Sequence, residues 1–469
     1  MKKILSIALV ALLAGSAFAA FSGNASVALG YNWETGAYGF TNGTGLDFDI
    51  DLATAEVEAI ADAPVYAGIK ATFALKVANW KVEDGKNTEF GEELRPVKDG
   101  FKKAGLGVFA EVAEAYVAGE NWKVSILGTQ GAPDFAKSAI DTTKTAAVRD
   151  VFGNQYDKKN TAVTYKVSAN DLAGVTVEAY DWKASFGFVG NSGKGPFNKA
   201  EKSFNYNAFV QTPSFDFDVV NFQLAAIASS NTTAEKAEDK YDSAIGASAR
   251  VGFASDIVTG SVAADYGVKL VKNAEDKYDA THGLDVAANM AISPVTLDVY
   301  FKNENLSSKT EGDAKLAENL LSAQVKADLT SFDVPVAITA YGKNMLDKID
   351  GQDFGGKVAV TLDAFSVSVD GGYVIGTEKL YLGADVAYTA DLFTAKAGID
   401  WSLFGKADKD NQVLALSASI ESSTLIPGAT LSLAYGAADE NMNLLDKQVN
   451  SDVKAQNAGK VEAKVKIAF

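Results

Sequence analysis

The last ten residues, Lys460 to Phe469, alternate between apolar and charged side chains. Successive side chains of a strand point to opposite faces, so this pattern predicts a strand with one apolar and one charged face. In a soluble protein the apolar face would cover a core. In an outer-membrane barrel it would face lipid, and Lys460, Glu462, Lys464 and Lys466 would face a water-filled interior.

The same alternation recurs near the other end of the chain. In the segment 44–53, Asp47, Asp49 and Asp51 share one parity and the intervening residues are apolar. Three carboxylates on one strand face need water, because an unpaired buried charge is costly. One face of this strand is therefore predicted to be wet and the other to be as apolar as a protein core or a membrane.

Continued along the chain, this pattern predicts an all-β protein of about 22 strands, with a range of roughly 18 to 24. The segment 104–118 fits least well, because its alternation breaks near Glu114. The predicted strands are 24–33, 44–53, 65–78, 104–118, 121–128, 161–168, 175–186, 203–212, 218–229, 243–254, 257–268, 283–292, 295–302, 320–330, 335–343, 357–363, 366–375, 380–389, 392–401, 412–421, 429–436 and 460–469.

Long and short connections alternate between these strands. Tight links such as Ser293-Pro294 and Ala364-Phe365 separate long polar segments, and only 376–379 is short where a long segment is due. Outer-membrane barrels have long outer loops and short periplasmic turns. The pattern therefore favours a single transmembrane, antiparallel, up-and-down β-barrel over a soluble sandwich. The long segments are 79–103, 129–160, 187–202, 230–242, 269–282, 303–319, 344–356, 402–411 and 437–459.

The first 19 residues have the layout of a secretory signal. Lys2 and Lys3 precede an apolar run, and small residues lead to Ala19, after which cleavage is expected. The apolar run is too short to span a bilayer of ~30 Å. We therefore expect a signal peptide over 1–19 and a barrel over 20–469, with no separate plug domain.

Composition narrows the classes of function. The chain has no cysteine and a formal net charge of −17, which argues against a disulfide framework, a thiolate metal site and a nucleic-acid partner. Only Arg95, Arg149 and Arg250 are arginines, too few for the dense arginine ladder of general porins.

Parity predicts which charged residues line the interior. Lysine in lipid costs up to about 2–4 kcal/mol near the midplane, so the charged parity is placed inside. Acidic residues exceed basic ones there, which predicts a weak preference for cations. Any constriction is expected from infolded outer loops, with 79–103 and 129–160 as the best candidates. The candidate lumen-lining residues are Asp47, Asp49, Asp51, Asp285, Lys326, Asp328, Lys396, Asp400, Lys460, Glu462, Lys464 and Lys466.

Aromatic residues lie near the predicted strand ends, as in the interfacial girdles of membrane barrels. The alternative is that aromatic residues are simply common in strands. The candidate interface aromatics are Trp33, Trp80, Trp122, Trp401 and Phe469.

No constellation of catalytic, cofactor-binding or metal-binding residues is predicted. His282, the only histidine, falls in a predicted outer loop, so we interpret it as a solvated loop residue rather than a catalytic base. The sequence AEDKYD occurs at 237–242 and again at 274–279. Acidic loops can bind Ca²⁺, but this spacing is not that of an EF-hand, and a duplicated or simply solvated loop is the simpler interpretation.

The N-terminal region resembles the spirochaete major outer sheath proteins. The similarity rests on MKKILSIALVALLAGSAFAAFSGNASVALGYNWETGAYGFTN and on VYAGIKATFAL at 65–75, and elsewhere it is architectural. It implies a surface-exposed, pore-forming barrel of the bacterial outer membrane. For some members it implies adhesion to host matrix proteins and homo-oligomerisation. The family shares no catalytic motif, so no functional residue is transferred. Phe469 resembles the terminal residue that the outer-membrane assembly machinery reads.

Two functions remain open at this point. The first is a non-enzymatic porin with a passive, weakly cation-preferring pathway, exposed surface loops and outer-membrane lipid around it. The second is a surface adhesin or antigen whose loops bind host matrix proteins and whose lumen is largely closed. No cofactor is expected for either. An outer-membrane hydrolase is disfavoured, because the chain offers no plausible histidine partner for a nucleophile.

Overall fold

A computed structural model gives the fold of the chain over most of its predicted strands. The described residues are 19–32, 38–40, 45–53, 58–60, 63–83, 86–91, 104–126, 135–136, 174–190, 204–231, 241–273, 275, 277–303, 306, 319–346, 352–375, 378–403, 412–438 and 460–468.

Strands dominate the described residues, with one short 3-10 helix at Leu329–Phe332. Within this part of the chain no helix is both long and apolar enough to cross a membrane. The strands are β1 Ala19–Asn32, β2 Tyr38–Phe40, β3 Gly45–Ala53, β4 Glu58–Ile60, β5 Ala63–Glu83, β6 Lys86–Gly91, β7 Ala104–Ala118, β8 Trp122–Ile126, β9 Gly174–Ala179, β10 Trp182–Gly190, β11 Phe204–Gln211, β12 Phe215–Phe217, β13 Val220–Asn231, β14 Tyr241–Ala254, β15 Thr259–Lys272, β16 Tyr278–Ile292, β17 Val295–Asn303, β18 Asn319–Asp328, β19 Val336–Lys343, β20 Asp353–Leu362, β21 Phe365–Val374, β22 Lys379–Thr389, β23 Thr394–Leu403, β24 Gln412–Ile426, β25 Ala429–Ala438 and β26 Lys460–Ala468.

These strands close into one antiparallel up-and-down barrel. The short strands β2, β4, β6 and β12 pair with the ends of longer strands. The other 22 described strands form the ring of the barrel. The C-terminal β26 pairs with β25 on one side and with β1 on the other, so that the sheet has no free edge there. The predicted fold class and strand number are confirmed.

The two ends of the barrel differ in their connections. At one end, here called the short-turn end, the links include 180–181, 293–294, 363–364 and 427–428. At the other, the long-loop end, the links include 84–103, 127–173, 304–318 and 439–459. The predicted short link near 376–379 is confirmed, because β21 ends at Val374 and β22 begins at Lys379.

One predicted strand was wrong in its extent. The segment 175–186 is a hairpin of β9 and β10, and the predicted strand 161–168 lies outside the described residues. Tyr180 and Asp181 form the turn, with φ values of 49° and 65°. Two-residue hairpins with φ > 0 at both positions match the twist of the flanking strands, but Asn-Gly rather than Tyr-Asp is their usual sequence signal. The sequence therefore gives no clear signal of this turn.

The irregularity near Glu114 is a β-bulge. Between β5 and β7, Lys70 is opposite Glu114 and Ala71 is opposite Val112, so Ala113 is the extra residue. A bulge places two residues against one and changes which parity shares a face. The broken alternation in the segment 104–118 therefore marks a bulge within a true strand.

Burial along the strands is the reverse of that in a soluble protein. Large apolar residues on the outward parity, such as Val27, Ile245 and Val358, are exposed. The polar residues on the other parity, such as Ser248, Asp265 and Gln324, are buried. The apolar rows thus form the outer wall of the barrel, and the polar rows face its interior.

Three tyrosines on the inward parity lie across glycines on neighbouring strands. The directly opposed pairs are Tyr116 with Gly68, Tyr341 with Gly355, and Tyr381 with Gly372. A Cβ added at Gly372 would collide with the Tyr381 hydroxyl oxygen. Aromatic rings that cover a cross-strand glycine help to fix register in curved sheets. These pairs therefore help to fix the register of three strand pairs.

Candidate functional site in the barrel interior

The inner wall between β14 and β17 carries a row of polar residues. In successive registers Ser248 is opposite Asp265, Asp265 is opposite Asp285, and Asp285 is opposite Lys302. All four are buried, and Asp285 is 0% exposed. Because parity alternates along each strand, each of these strands contributes its polar positions to the same interior face.

A second row, closer to the short-turn end, is joined by side-chain hydrogen bonds. The Asn289 amide donates to the Asp298 carboxylate, and Gln324 Nε2 donates to Asp298 Oδ2 at 3.3 Å. These three residues lie on β16, β17 and β18, so Asp298 links three strands. Buried polar groups are normally satisfied in this way, and here they form part of the interior surface.

A third group lies toward the long-loop end of β19, β20 and β22. Lys343 Nζ lies 3.9 Å from Asp353 Oδ2, and the Tyr381 hydroxyl donates to Asp353 Oδ1 at 3.3 Å. Lys343 Nζ also lies 4.7 Å from the centroid of the Tyr341 ring. The lysine charge is thus balanced by one carboxylate and by the face of one aromatic ring.

Part of the long β8–β9 connection reaches this wall. Ala136 is fully buried, and its backbone N–H donates to Asp265 Oδ2 at 3.0 Å. Asp265 belongs to β15, far from residue 136 in sequence, so the contact joins the connection to the inside of the barrel. Of the two segments predicted to fold inward, 129–160 makes this contact through Ala136. In the other segment, 79–103, residues 84–85 and 92–103 lie outside the described residues.

A charge network occupies the inner wall near the short-turn ends of β5, β7 and β8. Glu114 pairs with Lys70 Nζ at 3.5 Å and with Lys123 Nζ at 2.5 Å, and it accepts a hydrogen bond from the Ser125 hydroxyl. The Tyr116 ring lies beneath both ammonium groups. One carboxylate at the bulge therefore bridges two lysines on neighbouring strands.

The predicted lumen-lining residues occupy different parts of this interior. Asp285 is buried in the β14–β17 row, and Asp400 is half-buried on β23, with its carboxylate beside Gly383. Lys326 and Lys396 share the interior parity but are exposed near the short-turn end. Glu462 and Lys464 are half-buried, and Lys466 is exposed.

Asp328 has a local structural role in addition to its parity. It ends β18, and its carboxylate accepts hydrogen bonds from the Thr330 N–H at 3.0 Å and the Thr330 hydroxyl at 2.6 Å. It thereby caps the 3-10 helix at the short-turn end. Asp47, Asp49, Asp51 and Lys460 lie on β3 and β26, and only their register is described: Asp47 is opposite Asn24, and Lys460 is opposite Asn32.

The predicted interface aromatics are described in part. Trp122 begins β8 at the short-turn end and is exposed, with its indole over Gly119. Trp401 lies near the long-loop end of β23 and is half-buried. Trp80 lies on β5 opposite Phe90, and Trp33 and Phe469 lie outside the described residues.

The loop prediction for His282 was wrong. His282 lies on β16, which begins at Tyr278, and its Nδ1 is 2.6 Å from the Tyr266 hydroxyl on β15. Both side chains lie on the outward parity, away from the interior carboxylates. The polar residues before Gly283 had indicated a loop, but here they continue the strand beyond the apolar belt.

Metal binding finds no support in the described part of the chain. No group of three or more His, Asp or Glu residues within it could hold a metal ion. The second AEDKYD segment includes the start of β16, and Lys277 Nζ pairs there with Glu275 at 2.9 Å. Asn273 Oδ1 accepts the N–H groups of Glu275 and Lys277, so these described residues form a side-chain-stabilised turn.

Several interior residues were not singled out from the sequence. Asp265, Asp298, Lys302, Gln324, Lys343 and Asp353 are buried interior residues outside the predicted lumen-lining set. Parity is a signal for Asp265, Asp298 and Gln324, because each has apolar neighbours on both sides. Their burial accompanies contacts between residues far apart in sequence, such as that of the Ala136 N–H with Asp265, and periodicity does not encode such contacts.

Comparison with known proteins gave structural similarities only. No protein-family model matches the chain, and no curated protein matches it. A mutant of the Rh. blastica porin aligns over 96% of this chain and 100% of its own, with a TM-score of 0.34 and 11% identity. OccK5 (OpdH) of Pseudomonas aeruginosa aligns over 96% of this chain and 98% of its own, with a TM-score of 0.37 and 8% identity. The P pilus usher (PapC) translocation pore aligns over 96% of this chain and 98% of its own, with a TM-score of 0.34 and 9% identity. At such low identities and TM-scores, the fold assignment rests on the strand pairings of this chain and not on these similarities.

Proposed function

We propose that this protein is an outer-membrane porin, a passive diffusion pore without enzymatic activity. The observation that carries the proposal is the reversed burial of a closed barrel: apolar rows lie on the outside and polar rows lie within. In water such an outer wall would be costly, because burial of apolar surface stabilises by about 25 cal/mol per Å². In a bilayer it is the expected arrangement.

The strand lengths support a membrane location. Crossing a bilayer takes about 9–11 residues of tilted strand. In this range lie β22 with 11 residues and β23 with 10 residues. A closed ring also leaves no unpaired strand edge in lipid, which is the condition for any sheet that spans a membrane.

The charges buried along the described inner wall support a weak preference for cations. The buried carboxylates are those of Asp265, Asp285, Asp298, Asp353 and Asp370, and the buried ammonium groups are those of Lys302 and Lys343. This excess of carboxylates raises the local concentration of cations, and the mixture of carboxylates and lysines on β23 to β26 keeps the preference small.

Planar-bilayer recording tests this function directly. Purified, folded protein is expected to insert with stepwise increases in conductance. Under a salt gradient, the reversal potential is expected to have the sign that indicates cation preference, and its magnitude is expected to be modest. A boiled sample is the matched control. Absence of conductance over many insertions would contradict the porin, and a reversal potential of the opposite sign would contradict only the cation preference.

A further inference from the structure

The inner wall of the barrel is covered on one side. On β17 and β18, Tyr300 is 1% exposed, Gln324 is 2% exposed and Lys302 is 4% exposed. Side chains of this size on the wall of an empty lumen would show a face to water. These side chains are therefore shielded from the lumen, and nearby on β15 Asp265 accepts a hydrogen bond from the Ala136 N–H.

The wall formed by β24, β25 and β26 is different. Its inward residues Ser417, Ser419, Glu462 and Lys464 are half-buried, and Glu421 is exposed. Depth does not explain the contrast, because Ser322 and Ser419 lie at comparable distances from the short-turn ends of their strands. Ser322 is 5% exposed on β18, which ends at Asp328, whereas Ser419 is more accessible on β24, which ends at Ile426.

Polar residues continue around this more accessible wall. In one row Glu421 is opposite Ser432, and Ser432 is opposite Lys464. In the next row Lys396 is opposite Ser419, and Ala434 is opposite Glu462. Charges of both signs thus alternate with small side chains, which leaves room for water beside each charge.

From these two observations we propose that the diffusion path is off-centre and runs along the β24–β26 wall. The inward side chains of the β15–β18 wall that are buried are shielded from it. This proposal rests on the proposed porin function and adds the wall that solutes contact. It makes Glu421, Glu462 and Lys464 determinants of conductance and ion preference, and it leaves the buried Asp298 and Gln324 as supports of the covered wall.

Thiol labelling tests the path, because the chain has no cysteine and a single introduced one is unique. Ser419→Cys reports on the proposed path, and Ser322→Cys is its matched serine on the covered wall. Ala418→Cys, the outward neighbour of Ser419, reports on the lipid face. Folded protein in lipid vesicles is treated with a charged, membrane-impermeant methanethiosulfonate reagent, and modification is measured as a mass shift.

We expect the reagent to modify Ser419→Cys rapidly. We expect it not to modify Ser322→Cys or Ala418→Cys. In planar bilayers the same reagent is expected to lower the conductance of Ser419→Cys only. Ser248→Cys replaces Ser322→Cys if that variant does not fold, since Ser248 is also buried, on β14. Equal modification of the two walls, or block through Ser322→Cys, would overturn the off-centre path.

The two readouts separate this proposal from the porin function. Modification of Ser419→Cys but not Ser322→Cys, without any current from unmodified protein, would contradict diffusion while supporting a water-filled space along β24–β26. Current with equal modification of both walls would support the porin and contradict the off-centre path.

Discussion

At the scale of single residues, neighbouring positions on one strand lie in opposite environments. Val358 on β20 faces outward and is exposed, and Ala359 faces the interior and is half-buried. The two residues lie near the middle of β20, so they report on the lipid and lumen sides at nearly the same depth.

Lysine substitution at these two positions has opposite expected effects. Val358→Lys is expected to lower the free energy of unfolding by about 2–4 kcal/mol, the cost of lysine near the membrane midplane. Ala359→Lys is expected to fold normally, because the added ammonium group meets the polar interior. Urea titration in lipid vesicles measures both. A larger loss for Ala359→Lys would show that the assignment of faces is wrong.

The tyrosine–glycine pairs give a second residue-scale prediction. Gly372→Ala places a methyl group on the Tyr381 hydroxyl, so the ring must move and its hydrogen bond to Asp353 is lost. We expect a loss of about 1–3 kcal/mol, typical of overpacking. Gly371→Ala is the control, because its nearest neighbour is the flexible tip of Leu382. Equal losses in urea titration would contradict a specific role for the pair.

At the scale of elements, the bulge on β7 concentrates charge. Glu114 sits beside the extra residue and bridges Lys70 on β5 and Lys123 on β8, so one side chain ties three strands. Bulges commonly re-aim a side chain, and here the aimed side chain is the carboxylate.

Replacing that carboxylate tests the tie. Glu114→Gln is expected to destabilise the barrel by about 1 kcal/mol at low salt, and by less at high salt because the partly exposed lysines are screened. Glu178→Gln is the control, since Glu178 pairs only with Lys183 among the described ion pairs, at 3.7 Å. Urea titration at two salt concentrations measures both variants. An equal or salt-independent loss would contradict the bridging role.

Strand periodicity predicted most of the elements, and the exceptions have local causes. The Tyr180-Asp181 turn lacks the Asn-Gly signal of its type, so the sequence predicts β9 and β10 as one strand. The polar sequence near His282 predicts a loop, yet β16 extends past the apolar belt and carries polar side chains there. The alternation near Glu114 broke where a residue is inserted, which period-two patterning cannot represent.

At the scale of the whole molecule, parity predicted the faces of the wall but not the contents of the lumen. Asp285 and Lys464 both have interior parity, yet one is fully buried and the other is half-buried. Burial on the wall around Asp285 accompanies a long-range contact, that of the Ala136 N–H with Asp265 on β15, which joins residues far apart in sequence. Such a contact depends on the closed barrel and leaves no periodic signal.

That contact supplies the last prediction. Asp265→Ala removes the acceptor of the Ala136 N–H, whereas Asp265→Asn keeps an oxygen at the same place. A buried donor left without its partner costs about 1–3 kcal/mol, enough to weaken the contact between Ala136 and β15. We therefore expect Asp265→Ala to raise the single-channel conductance and to expose a Ser322→Cys thiol to the charged reagent. Asp265→Asn should change both far less. If both variants left the conductance and the Ser322→Cys thiol unchanged, the cover over the β15–β18 wall would not depend on Asp265. It would then be held by contacts elsewhere along that wall.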